Sequence, residues 1–151
     1  MIDPEDFINQ AVTGANDTVI AQCPEGSYRA EVGDRLEVRE VETKKGDTRH
    51  ILRINWDILD DAVRAELERE HVYVRQDLWL DFDETGALDM GKGRNVDLGR
   101  IREAVGKNDP NEPFAPRDLI GCLAFVRVAH SSDRDNPERK FAEIRRVTAL
   151  D

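Results

Sequence analysis

The sequence predicts a mainly β domain with one or two helices, an α+β fold built as a small Greek-key barrel, with a two-sheet β-sandwich as the alternative. Three observations predict it. Between Arg49 and Ile58, residues Leu52, Ile54, Trp56 and Ile58 alternate with Arg53, Asn55 and Asp57. That is the period-two pattern of a strand with one dry face and one wet one. A second extended run, Tyr28 to Val41, precedes a turn centred on Gly46-Asp47, so the two runs make a long hairpin. More extended runs follow, interrupted by one well-marked helix late in the chain. Period-two patterns do not separate a closed sheet from an open pair, so both arrangements stand.

Taken in order, residues 1–23 read as an N-terminal arm or short helix, and residues 24–151 as the barrel domain. Asp3-Pro4-Glu5-Asp6 starts a helix, with proline in its first turn and acids near the positive end of its dipole. Phe7, Ile8 and Val12 form its apolar stripe, which is expected to pack on the body; an arm that mediates assembly is the sharper alternative. The first long strand opens after Pro24-Glu25-Gly26, and Gly33-Asp34 interrupts its alternation, as at a bulge or bend. Val41 falls out of phase with Leu36 and Val38, which predicts a second irregularity near Glu40. Residues 60–71 open with acids and carry a narrow stripe at Val63 and Leu67, the pattern of a surface helix. His71 to Phe82 is the next extended run, followed by a turn at 83–86, a short return strand at 87–90 and a flexible basic loop at 91–95. Asp97 to Gly106 is the best helix, with Asn95 or Asp97 as its cap and Gly106 as its terminator. Cys122 to Ala129 is apolar on both faces and reads as a central strand, and Lys140 to Val147 as the closing strand.

Length and composition bound the function. A chain of 151 residues is large enough for a single core without metal or disulfide support. Its 22 basic and 32 acidic residues leave a formal net charge of −10 at pH 7, which repels nucleic acid at long range but permits a local basic groove. Cys23 and Cys122 match no metal spacing and read as two reduced thiols. The N-terminus lacks the features of a signal peptide, and no apolar segment approaches the ~20 residues a bilayer span requires. A soluble, cytoplasmic protein with no membrane partner is expected.

The catalytic readings fall first. No phosphate-binding glycine motif is present, and Gly91-Lys92-Gly93-Arg94 is too short to be one. His50, His71 and His130 are scattered, and the many aspartates read as a solvated acidic face. The chain is therefore expected to be non-catalytic, without cofactor or metal. A basic and aromatic constellation is more informative. Lys44, Lys45 and Arg49 cluster at the hairpin tip, with Arg53 on the wet face of the return strand. Arg75 accompanies Tyr73 on the next strand, Trp79 lies farther along, and Lys92 and Arg94 sit in the glycine loop. Arg127 lies next to Phe125 on the central strand, and Arg139, Lys140, Arg145 and Arg146 concentrate near the C-terminus. Single-strand binding needs these ingredients, cations for phosphates and flat side chains for unstacked bases. Trp56 and Tyr28 share faces with apolar residues and are assigned to the core.

Several segments carry a family resemblance: Pro24-x-Gly26-x-Tyr28, Lys44-Lys45-Gly46 and Leu52-x-Ile54-x-Trp56-x-Ile58. The late Asp-Leu…Val-Gly helix and Asp118-Leu119-Ile120-Gly121 complete the pattern. Over about residues 24–148 the chain resembles bacteriophage single-stranded-DNA-binding proteins with an OB-like fold. The resemblance implies sequence-tolerant binding of single-stranded DNA in a barrel groove, within phage replication or recombination. Replication or recombination proteins are then further partners, and a homodimer is compatible with the sequence. The contrasting expectation is an acidic phage accessory or inhibitor module whose acidic face engages a basic host protein.

Overall fold

The extended run after Pro24 is broken in its middle, and the break organises the sheet. In a computed structural model, which describes residues 2–150, strand β1 (Gly26–Val32) and strand β2 (Glu37–Glu42) both pair with the same edge of the long strand β3 (Thr48–Ile58). Residues 33–36 carry the chain around the bend. Gly33 makes the bend possible, since its amide donates to the Asn55 carbonyl at 2.8 Å. A Cβ on Gly33 would lie 3.0 Å from that carbonyl oxygen and 3.3 Å from the Tyr73 ring, so backbone and ring approach too closely for any larger residue.

Strand β4 (Tyr73–Leu80) covers the other edge of β3 from His50 to Asp57. Strand β5 (Leu123–Ser132) pairs with β1, and β6 (Lys140–Thr148) pairs with β5. All six strands are antiparallel members of one sheet, in the order β2-β3-β1-β5-β6, with β4 on the far edge of β3. A sandwich would need two sheets. The sheet is not closed: β4 and β6 lie beside each other, but among the described residues no ladder joins them. Three short helices complete the fold: α1 (Pro4–Ile8), α2 (Asp61–Glu66) and α3 (Val96–Ala104). None is long and apolar enough to cross a membrane.

One core fills the inner face, where Val32, Leu52, Ile54, Trp56 and Ile58 meet Leu78, Val126 and Val128 beneath Leu98 and Ile101 of α3. Trp56 is wholly buried, and its indole N–H donates to Gln76 Oε1 at 2.8 Å, which satisfies the one polar atom of the side chain. A β-bulge in β6 feeds this core. Arg127 pairs with Arg146 and Val128 with Ile144, so Arg145 is the extra residue. The bulge turns both Ile144 and Val147 inward against Val128 and Val126.

Several local expectations need correction. Residues 60–71 form only the six-residue α2, capped by the Asp60 carboxylate on the Val63 amide, because Glu68 takes a left-handed φ of 53°. The return strand at 87–90 is a single bridge, Phe82 to Leu88. Helix α3 has no side-chain cap; Asn95 adopts φ 50° and instead bonds the Asp81 amide and carbonyl and the Asp89 carbonyl. Gly106, at φ 75°, does end that helix region in the left-handed conformation. β2 keeps an unbroken register through Val41, so there is no irregularity at Glu40. β5 is the expected central strand, between β1 and β6, but its outer face is not dry, because Phe125 and Arg127 are exposed there. Nor does the arm pack on the body: every residue from Ile2 to Ala21 is exposed.

Trp56→Ala is expected to lower unfolding free energy by ~3–5 kcal/mol, measured by urea denaturation. Trp79→Ala, on the half-exposed face where the ring covers Ile51 and meets Arg49, should cost less, ~1 kcal/mol. Cys23 and Cys122 are unpaired, and burial pushes the Cys23 thiol up to about 11. An acid whose folded pKa is raised stabilises the fold below its unfolded pKa. Stability should therefore fall as pH rises from about 9 to about 11, and Cys23→Ser should flatten that decline.

Candidate nucleic-acid interface

Every aromatic and cationic strand residue singled out from the sequence lies on the outer face of the sheet, but not in one group. The upper group is set by cross-strand neighbours. Arg53 stands between Glu37 and Asp77, and Arg49 pairs with Val41 beside Asp81, which follows the end of β4. Each finds its carboxylate. Arg53 binds Asp77 through two bonds of 2.9 and 3.2 Å, which holds the guanidinium more firmly protonated through that hydrogen bond. Arg49 reaches Asp81 at 3.3 Å and stacks on the Trp79 ring at 4.5 Å. Arg75 approaches Asp77 at 3.9 Å, and Arg94 approaches Asp89 at 3.7 Å. Four cations of the expected groove thus already share three carboxylates, Asp77, Asp81 and Asp89. Lys44, Lys45 and Lys92 are exposed at the same end of the sheet, in the β2–β3 tip and the loop before α3.

Tyr73 is exposed but engaged on one side, where its ring stacks on His71. His71 Nδ1 lies 2.8 Å from Asp57 Oδ2, while Arg64 contacts Asp57 Oδ1 at 3.1 Å. The same oxygen accepts the Val72 amide at 3.2 Å. Asp57 is one of two buried polar residues, and with these partners it pins α2 and the start of β4 to the end of β3. Across the outer face the register reads Tyr73, Asp57, Glu31, Leu123. Two carboxylates therefore separate the Tyr73–Arg75 group from Phe125 and Arg127. Three strand spacings, ~14 Å, lie between β4 and β5.

Around β5 the neighbours differ. Phe125 faces Arg29 on β1 and Thr148 on β6, while Arg127 faces Ser27 and Arg146. Phe125 is 37% exposed, and all three arginines are exposed. Among the described residues, Arg29, Arg127 and Arg146 make no ion pair; Glu31 lies two residues along β1 from Arg29 on the same face, and the other nearby acids are occupied. Glu25 accepts from the His130 amide, and Glu143 accepts from Ser131 and Arg145. Those two bonds hold the Glu143 carboxyl below its usual range, the Ser131 hydroxyl contributing most. The result is an unneutralised guanidinium triad around an exposed aromatic ring. Arg29 was not singled out from the sequence, and Arg146 was named only within the basic C-terminal run; strand register is what brings both to Phe125 and Arg127.

No group of three His, Cys, Asp or Glu side chains gathers as a metal site among the described residues. No protein-family model matches the sequence, and no curated protein sequence matches it.

Asp57→Ala removes the common acceptor of Arg64, His71 and the Val72 amide. It is expected to cost ~1–3 kcal/mol of stability, read by thermal or urea unfolding. Asp57→Asn should recover part of that loss by keeping an acceptor oxygen.

Proposed function

We propose that this chain is a non-catalytic, sequence-tolerant single-stranded-DNA-binding protein of the phage replication or recombination type, with an OB-like barrel. The single observation that carries the proposal is the Arg29–Arg127–Arg146 triad around Phe125. Unpaired guanidinium groups offer charge to phosphates without first breaking an ion pair. An exposed ring accepts an unstacked base whatever its identity. The strand order supports the barrel reading. β1 and β2 act together as one bent strand against β3, α3 lies between β4 and β5 in sequence, and the successive antiparallel pairings leave β4 and β6 parallel across the open seam. The polynucleotide path runs over β1, β5 and β6, with the lysines of the β2–β3 tip as outlying contacts. Arg53, Arg49 and Arg75 contribute only after leaving Asp77 and Asp81.

A second reading, an acidic accessory module for a basic host protein, is favoured by those carboxylate-paired arginines on a chain of net charge −10. Binding of a basic protein without any affinity for oligo-dT selects it.

The test is anisotropy of labelled oligo-dT, since Trp56 is buried and Trp79 lies off the proposed path. Affinity should fall with salt at a log–log slope of about −2 for three phosphates. Phe125→Ala should lose ~1–3 kcal/mol of binding, the worth of one stacked base. Reversing Arg127 and Arg146 to Glu should abolish binding, while Arg117→Glu should not. Equal losses from Arg117→Glu, or no binding at low salt, overturn the proposal.

A further inference from the structure

The arm preceding β1 has a composition opposite to the triad. Residues 2–22 contain Asp3, Glu5, Asp6 and Asp17 and no lysine, arginine or histidine. They also carry Ile2, Phe7, Ile8, Val12, Val19 and Ile20, all between 60% and 79% exposed. Single exposed apolar residues are ordinary, but a run of six on one segment marks a contact surface. The whole chain exposes 11336 Å², where a compact monomer of this mass exposes roughly 7,800 Å². Thr18, Val19 and Ile20 border a cleft against Arg139, Lys140 and Phe141, while helix α1 ahead of them buries no residue.

The root of the arm is nevertheless fixed. The Ala142 amide donates to the Gln22 side chain, Arg69 donates to the Ala21 carbonyl, and His130 Nε2 lies 2.7 Å from the Cys23 carbonyl oxygen. The arm therefore leaves from a defined point, beside the first turn of the β5–β6 hairpin. Asp3 caps the Glu5 amide and starts helix α1, which presents Phe7 and Ile8 among three acids.

We infer that two copies of this chain associate by exchanging arms, the acidic, apolar arm of one seating on the Arg29–Phe125–Arg127–Arg146 face of the other. Charge complementarity selects this occupant, for the arm carries only acids and the face carries unneutralised arginines around an apolar ring. A second copy is chosen because, within one chain, the arm and the face are both left open. Exchange is reciprocal and self-complementary, so it closes at two copies. Arm and DNA then compete for one face. That consequence rests on the DNA reading, whereas the association is measured with no DNA present.

The experiment is sedimentation equilibrium of the full chain across a wide concentration range at low and high salt. The expected result is twice the chain mass at low salt, shifting toward one chain at high salt. Phe7→Asp with Ile8→Asp in the arm should give a monomer, as should Arg127→Glu with Arg146→Glu on the face. Circular dichroism should be unchanged in both, since all four positions are exposed. Mixing the arm variant with the face variant should restore a dimer, because one intact arm then meets one intact face. A monomeric wild-type chain overturns the inference, as does a dimer that survives both double variants. So does a monomer whose arm is protected from proteolysis by its own face.

Discussion

Strand β3 is hydrogen-bonded along both edges, and one of those edges is divided between β1 and β2. The division depends on the close passage of Gly33 over the Asn55 carbonyl. That passage lies between β1, which pairs with β5 on its other edge, and β2, which does not. Trp56 lies where the division matters most, opposite Val32 on one side and Val74 on the other. Its burial anchors the junction of three strands, and the Gln76 acceptor lets the indole go dry without an unsatisfied donor. The inner faces of β5 and β6, and the apolar side of α3, close over the same side chain cluster.

Register then decides the electrostatics of the outer face. Arg53 and Arg127 are alike in sequence, each a lone cation among apolar neighbours on a strand. Arg53 is flanked by Glu37 and Asp77, and Arg127 by Ser27 and Arg146. The first is neutralised by a bidentate pair whose partly exposed setting makes it a small contributor to stability. The second faces a like charge, an arrangement that costs stability. On a chain this acidic, cations left beside one another mark a place where an external anion is more welcome than in the upper group.

The N-terminal arm supplies such an anion from within the same polypeptide. Its exposed apolar residues cannot be explained as core, and its acids have no cation near them in sequence. The bonds of Gln22, Ala21 and Cys23 to the body separate a fixed root from a free segment. The sheet's pairings are complete without residues 2–21.

Much of the fold was legible because its signals are local. The alternation of Leu52, Ile54, Trp56 and Ile58 placed β3 and put Trp56 in the core. Gly33 marked the bend, and the stripe of Leu98 and Ile101 marked α3. Even the β6 bulge left a trace, since Ile144 and Val147 are three apart and cannot both face inward on a regular strand. The candidate site was legible only in part: Phe125 and Arg127 were visible as an outward pair and Arg146 as one of a basic C-terminal run, but Arg29 was not, and nothing local foretold that Asp77 and Asp81 would occupy Arg53 and Arg49. Alternation is a property of one strand and can be read along it. Who stands beside whom across strands depends on register and topology, which arise only when residues distant in the chain pack together.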